Sequence, residues 1–245
     1  MRTGWFALLP LWAGGAGGPA LAQAFHGPSL SVEASSDYRE RGLSWSRGAP
    51  TLAVSAALPV AGGIDLTGAV VGLRGSERAE GADVGATLGA RYAGQGIVRP
   101  SAGIALRLFP GRPALSYWEV DARADYDLGP ATFGAGISYV PAQDAIGGDN
   151  LYVEVGAAIA VPAKPIRLSA GVGHSSGGGD GRARAGRLRP RGDYADWRVG
   201  IDYLRGPFVL GLRYTDTAMG EGGTAPGPLD RHIGARLSAF LRWDL

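Results

Sequence analysis

Charged and apolar side chains alternate along residues 116–140, which read SYWEVDARADYDLGPATFGAGISYV. Glu119, Asp121, Arg123 and Asp125 fall on one face of this stretch, and the residues between them are apolar. Carboxylates and guanidinium groups in such a row can pair with one another or line a passage for polar solutes. A period of two is the spacing of a β-strand, so the stretch predicts a hairpin with one apolar and one charged side.

Ten charged residues on the polar faces of predicted strands are candidates for lining a lumen. They are Glu119, Asp121, Arg123, Asp125, Asp196, Arg198, Asp202, Arg213, Arg236 and Arg242. One interpretation is a constriction with separate acidic and basic sides, whose transverse field orients polar solutes. The alternative is that the charges pair and plug the barrel, since a lumen of about twelve strands is intermediate between filled and open barrels.

Alternation of this kind fits a soluble sheet or a membrane barrel, and the rest of the chain decides between them. About twelve strands of roughly ten residues are predicted, the first from Leu30 to Tyr38, and this length crosses a bilayer at a tilt. Short turns and longer polar loops mostly alternate, and aromatic residues lie near strand ends on the apolar faces. We therefore predict an all-β fold: a transmembrane antiparallel up-and-down β-barrel of about twelve strands, formed by residues 23–245.

Residues 1–22 have the features of a secretory signal peptide. Arg2 precedes an apolar stretch, and Ala20 and Ala22 occupy the small-x-small positions of a cleavage site. Beyond this segment no run of about eighteen uncharged apolar residues occurs, so a transmembrane helix is not expected. The sequence therefore predicts an exported protein of the bacterial outer membrane.

The composition argues against several classes of function. The 245 residues include no cysteine, which removes disulfides and thiolate metal sites, and the histidines do not cluster. The formal net charge is only +2, so nucleic acid is not expected as a partner. We predict neither a metal nor a cofactor.

Five arginines are predicted to crowd one extracellular loop between the ninth and tenth strands. They are Arg182, Arg184, Arg187, Arg189 and Arg191. Such a cluster could bind lipopolysaccharide phosphates or collect anionic solutes at the mouth of a channel. The alternative is a solvated loop, because three consecutive glycines stand beside it.

His174 and Ser176 give the only hint of an enzyme. They share a strand face, and their spacing weakly resembles the His-x-Ser of outer-membrane lipid A deacylases. However, Gly177 stands where those enzymes have Asn, and no partner carboxylate can be placed. A polar strand end is the favoured interpretation, so an enzyme is not predicted.

Four stretches of the chain are distinctive. They are residues 34–52 (ASSDYRERGLSWSRGAPTL), residues 108–126 (LFPGRPALSYWEVDARADY), the YVP at 139–141 and residues 193–203 (DYADWRVGIDY). Together they resemble the TorF family of proteobacterial outer-membrane porins, and the S-D-Y-R-x-R-G segment is among the most specific pieces. The resemblance covers most of the mature chain and implies an outer-membrane barrel that admits small solutes. It implies no catalytic residues.

The sequence thus predicts a porin-like channel for passive diffusion of small hydrophilic solutes. Its expected partners are outer-membrane lipid, lipopolysaccharide, small polar solutes and the barrel-insertion machinery. Trp243 and Leu245 lie on the same face at the end of the last strand, as recognition by that machinery requires. Two alternatives stay open. One is a non-conducting structural or adhesin-like barrel, and the other is a hydrolase resembling lipid A deacylases.

Overall fold

The computed structural model describes residues 27–179, 183–219 and 232–245, and most of them lie in strands. The strands are β1 (Ser29–Ser35), β2 (Arg39–Glu40), β3 (Leu43–Ser44), β4 (Thr51–Ala61), β5 (Ile64–Ser76), β6 (Ala82–Ala93), β7 (Val98–Leu108), β8 (Tyr117–Leu128), β9 (Ala131–Gln143), β10 (Gly148–Ala160), β11 (Ile166–Ser176), β12 (Tyr194–Arg205), β13 (Phe208–Thr217) and β14 (Arg236–Asp244). Short 3-10 helices occupy Glu77–Ala79, Pro113–Leu115 and Ala183–Arg187. The predicted signal peptide, with Ala20 and Ala22, lies outside the described residues.

Within the described residues, twelve strands form one closed antiparallel barrel. Strand β1 closes the ring by pairing with β4 on one side and with β14 on the other. The other neighbours in the ring are consecutive in the chain, while β2 and β3 pair only with each other. The predicted up-and-down barrel is therefore confirmed.

Apolar side chains cover the outside of the barrel. Leu52, Val199 and Leu237 are 60%, 55% and 63% exposed, and each barrel strand contributes large apolar side chains to this surface. Exposed aromatic residues form two belts, with Trp118 and Trp197 near one end and Trp243 near the other. An apolar surface of this extent is unfavourable in water and favourable against hydrocarbon. The barrel therefore spans a bilayer, which for a bacterial protein of this architecture is the outer membrane.

The two ends of the barrel differ. One end has short turns such as Gly62-Gly63, and the other carries most of the longer connections. We call these the turn end and the loop end; short turns face the periplasm in outer-membrane barrels. Among the described residues no helix has the length and apolar character needed to cross a membrane.

The core of the molecule lies at the loop end rather than between two layers of sheet. Buried apolar residues from several connections and strand ends pack together there, and we call them the loop cluster. Its members are Trp45, Leu73, Ala79, Ala82, Phe109, Leu115, Tyr117, Val140, Ala145, Ile146 and Leu188. The cluster covers the outer end of the barrel interior.

The first strand is shorter than predicted. It ends at Ser35, and Tyr38, expected on the lipid face, instead packs against the loop cluster. The chain leaves the barrel wall after Ser35 and turns inward. Residues beyond Ser35 therefore have no side that faces lipid, although the alternation of the sequence continues to Tyr38. This inward turn carries β2 and β3.

Candidate functional site

The ten predicted lumen residues all lie on the inward-facing positions of their strands, opposite the apolar exterior. Glu119, Asp196 and Asp202 are almost fully buried there, with 1%, 2% and 4% of their surface exposed. Arg236 is the member nearest the loop end, where it is exposed and donates to the Gly48 carbonyl at 3.1 Å.

Ion pairs join strand β8 to β7 and to β6, the next strand beyond it. Arg107 on β7 donates to Glu119 at 2.8 Å, and Arg91 on β6 lies 3.7 Å from Asp121. On β8 itself, Arg123 contacts Asp125 at 2.9 Å. The carboxylate row that the sequence suggests is therefore neutralised residue by residue by guanidinium groups.

The pairing continues around the wall. Glu154 on β10 accepts from Arg123 at 2.8 Å and from Arg198 at 2.7 Å, and Asp202 accepts from Arg167 at 2.6 Å. Two further arginines complete the set: Arg242 lies 3.2 Å from Asp244, and Arg213 stacks over Phe240 at 4.0 Å. Acidic and basic groups alternate as pairs, so the arrangement differs from the predicted separation into two sides.

A hairpin from the first connection lies inside this charged lumen. We call residues 36–50, which contain β2 and β3, the lumen hairpin. Arg41 at its tip donates to Glu119 at 2.9 Å, and Glu40 accepts from Arg107 at 2.9 Å. The hairpin leaves β1 and reaches β7 and β8, which are four and five places away around a ring of twelve strands, where six places would be diametrically opposite. It therefore crosses the lumen almost along a diameter.

The inner structure of the lumen hairpin explains the S-D-Y-R-x-R-G segment. Asp37 accepts from Arg39 at 3.1 Å and from the Ser46 hydroxyl at 3.0 Å, which holds the two arms together. Gly42 has a φ of +75°, and a Cβ there would lie 2.5 Å from Thr217 Cγ2. Glycine is thus required both by the turn and by the close approach to β13.

The far wall holds the hairpin tip from the other side. The Tyr194 hydroxyl donates to the Arg41 carbonyl at 2.8 Å, and the Arg41 guanidinium lies 4.8 Å from the centre of the Tyr152 ring. Tyr152 has room because Gly173 on the neighbouring strand carries no Cβ. Burial alone would lower the pKa of Arg41, but the Glu119 carboxylate raises it above its ordinary value. Arg41 therefore stays charged inside the barrel.

A small cavity, about the size of one water molecule, remains between the hairpin and the wall. Its lining includes Arg41, Arg107, Glu119 and Leu188. Above it lies the loop cluster, in which Trp45 stacks on Phe109 with ring centres 6.2 Å apart. In this conformation the hairpin and the loop cluster together narrow the outer half of the lumen.

In the described part of the predicted basic loop, the arginines are bound to other groups of the protein and do not form a free cationic surface. Arg187 is 1% exposed and donates to the carbonyls of Arg78 at 2.6 Å and Leu115 at 3.0 Å, and also to Ala145. Arg184 pairs with Glu80 at 2.9 Å. The remaining members differ in position: Arg189 pairs with Asp193 at 2.9 Å, Arg191 is exposed and has a partner, and Arg182 lies outside the described residues.

His174 and Ser176 lie on the outer face of β11, near the loop end. His174 is exposed there, and its neighbours across the strands are Val153 and Ala195. Apolar neighbours of this kind supply neither a base nor an acid. The pair is thus placed against lipid or the membrane surface and away from the lumen.

Several residues of the site were not singled out from the sequence. They are Glu40, Arg41, Arg107 and Tyr152, which contact one another or Glu119, and Glu154, which pairs with Arg123 and Arg198. Alternation places Arg107, Tyr152 and Glu154 on inward faces, so this signal could have found three of them. Arg41 and Glu40 lie in a connection, where alternation gives no information.

Comparison with solved structures supports the fold. The NanC porin aligns with a TM-score of 0.59 at 10% identity, over 87% of this chain and 97% of that chain. The KdgM porin aligns with a TM-score of 0.51 at 9% identity, over 88% of this chain and 98% of that chain, and so does its complex with disordered oligogalacturonate. At these identities the likeness concerns the barrel alone. No curated protein is similar in sequence.

A family model matches residues 20–225, which is most of the chain. Its description is a bacterial protein of unknown function, Gcw_chp. The match includes the lumen hairpin and all of the barrel up to β13. The chain therefore belongs to the Gcw_chp family.

Proposed function

We propose that the protein is a porin-like channel through which small hydrophilic solutes diffuse passively across the outer membrane. The observation that carries this proposal is the closed barrel whose exterior is apolar and whose interior is lined with ion pairs. A wall of this kind favours water and polar solutes over hydrocarbon. The porin names of the solved barrels with this fold, and the sequence resemblance to the TorF family, support the same function.

We infer that full conduction requires the lumen hairpin to move, because Arg41 is bound to Glu119 on the opposite wall. The channel is therefore closed or narrow when the hairpin is in place. Outer-membrane lipid, lipopolysaccharide and the barrel-insertion machinery are its proposed partners, and the small solute shares the polar character of the lumen. The KdgM complex with oligogalacturonate illustrates that class of solute for another barrel of this fold.

One observation favours a second candidate, a non-conducting structural barrel. The loop cluster gathers eleven buried apolar residues over the outer end of the lumen, which is the arrangement expected of a permanent seal. Planar-bilayer recording separates the two candidates. A conducting barrel gives discrete current steps, whereas a permanent seal gives none although the protein shows the heat-modifiable gel mobility of a folded barrel.

We propose no enzymatic role. His174 and Ser176 face outward, and their cross-strand neighbours Val153, Ala195 and Leu151 offer no carboxylate. A lipid A deacylation assay on the wild type and on Ser176→Ala tests this directly. We expect no deacylation by either protein; activity in the wild type that is lost in Ser176→Ala would overturn the proposal.

A further inference from the structure

The lumen wall holds the Arg41 guanidinium in the way that a receptor holds a ligand. Arg41 Nη2 donates to Glu119 Oε2 at 2.9 Å, and the guanidinium lies over the face of Tyr152 at 4.8 Å. A carboxylate beside an aromatic face is a common recognition unit for guanidinium and ammonium groups. The wall therefore has the chemistry of an organic-cation site, and the occupant is a residue of the same chain.

The wall part of this site is held together without Arg41. Glu119 Oε1 accepts two hydrogen bonds from Arg107, at 3.0 and 2.8 Å, and its other oxygen is left for Arg41. The Tyr152 hydroxyl donates to Asp196 at 3.3 Å. Because these contacts join barrel strands to one another, the site persists when the hairpin tip leaves.

Acceptors remain on the wall that Arg41 does not satisfy. Asp121 Oδ1 and Asp196 Oδ2 are buried and have no hydrogen-bond partner among the described residues, and Asp196 is only 2% exposed. Both carboxylates lie within electrostatic range of Arg41. Buried carboxylate oxygens without partners favour a ligand that brings further N–H donors.

Some hydrogen-bond donors near the contact between the hairpin and the wall also lack acceptors. Arg39 Nε, Arg41 Nε and Arg198 Nη1 are buried without a hydrogen-bond partner in the described part of the chain. Orphaned buried donors disfavour the closed arrangement relative to one in which water reaches them. These unpaired atoms therefore lower the free-energy cost of exchanging the hairpin tip for another cation.

We propose that Glu119, Tyr152, Asp121 and Asp196 form a binding site for a solute with a guanidinium or primary ammonium group, and that Arg41 fills this site when the channel is closed. A cationic solute that takes the place of Arg41 releases the hairpin tip and opens the outer half of the lumen. The gating step rests on the proposed channel function, whereas the binding site does not.

Binding is tested with methylguanidinium chloride as the probe and methylurea as its neutral isostere, at constant ionic strength. The readout is the midpoint temperature of unfolding in detergent, which is measured from the heat-modifiable gel mobility. We expect methylguanidinium to raise the midpoint of Arg41→Ala at a concentration at least about tenfold lower than in the wild type, whose site is occupied. The double variant Arg41→Ala with Glu119→Gln should lose the response.

Matched variants control for charge. Arg41→Lys keeps a cation at the hairpin tip and should respond as the wild type does. Arg167→Ala removes a lumen guanidinium near the turn end, where it pairs with Asp202 at 2.6 Å, and should also respond as the wild type. Equal effects of methylguanidinium and methylurea, or an unchanged response after Glu119→Gln, would overturn the binding site.

A second measurement serves if Arg41→Ala does not fold. The chain has no cysteine, so Ser44→Cys introduces a single thiol at a buried position of the lumen hairpin, with Arg41 left in place. Methylguanidinium should speed the labelling of this thiol by a water-soluble maleimide and methylurea should not. Conductance recorded on the same preparations separates the two proposals. Specific binding without current refutes the channel, and current without specific binding refutes the site.

Discussion

Replacing Glu119 with glutamine tests whether the lumen hairpin closes the channel. Glu119 is 1% exposed and accepts from Arg41 on the hairpin and from Arg107 on the wall. Glutamine keeps the size of the side chain and removes its charge. Arg107 retains Glu40 at 2.9 Å, so Arg41 is the group left buried with no counterion in contact among the described residues.

The magnitude follows from the cost of an uncompensated buried charge. Breaking a buried ion pair by removing one partner costs about 3–5 kcal/mol. This cost falls on the closed state, because Arg41 is hydrated once the hairpin leaves the wall. Each 1.4 kcal/mol is a factor of about ten, so the ratio of open to closed channels should rise by about one hundredfold to a few thousandfold.

The assay is the open probability of single channels in planar bilayers. Asp127→Asn is the matched control, because Asp127 lies on the same face of β8 near the turn end, where it pairs with Arg99. We expect long openings in Glu119→Gln and wild-type gating in Asp127→Asn. If Glu119→Gln has the same open probability as the wild type, the Arg41–Glu119 ion pair does not hold the hairpin in the closed position.

Three further predictions concern the gate, the lipid face and the loop cluster. A water-soluble maleimide should label Ser44→Cys, a buried position on the lumen hairpin, faster when Glu119→Gln is also present, and equal rates would show that Glu119 does not hold the hairpin in place. Val199→Arg places a charge in the middle of β12 on the outer face and should cost about 2–4 kcal/mol in urea unfolding from lipid vesicles, whereas a cost near zero would contradict a lipid-facing wall. Arg187→Met leaves three loop carbonyls without their donor and should speed cleavage of the loops by externally added protease, and unchanged cleavage would contradict a structural role for Arg187.

The barrel could be predicted from the sequence because its signal is local. In β8, Trp118, Val120 and Tyr126 alternate with charged residues, and the structure places the two sets on opposite faces of the wall. A shift of one residue would turn five charges toward lipid, so the register follows from the alternation alone. The same reasoning placed the ten predicted lumen residues on the inner face.

The contact between the lumen hairpin and the wall could not be predicted because its signal is long-range. Arg41 and Glu119 are 78 residues apart, and nothing in the sequence near Arg41 indicates a partner on β8. Trp45, Phe109 and Leu188 likewise lie in three different connections of the chain, and only the closed ring brings them together in the loop cluster. The S-D-Y-R-x-R-G segment was visible as a motif, but the reason for it is a contact across the lumen.

The most direct test of a water-filled lumen within a lipid-embedded wall is the conductance of the purified, folded protein in planar bilayers. We expect brief current steps for the wild type and sustained steps of similar size for Glu119→Gln. A complete lack of current from both proteins, when each shows the gel mobility of a folded barrel, would contradict a water-filled lumen.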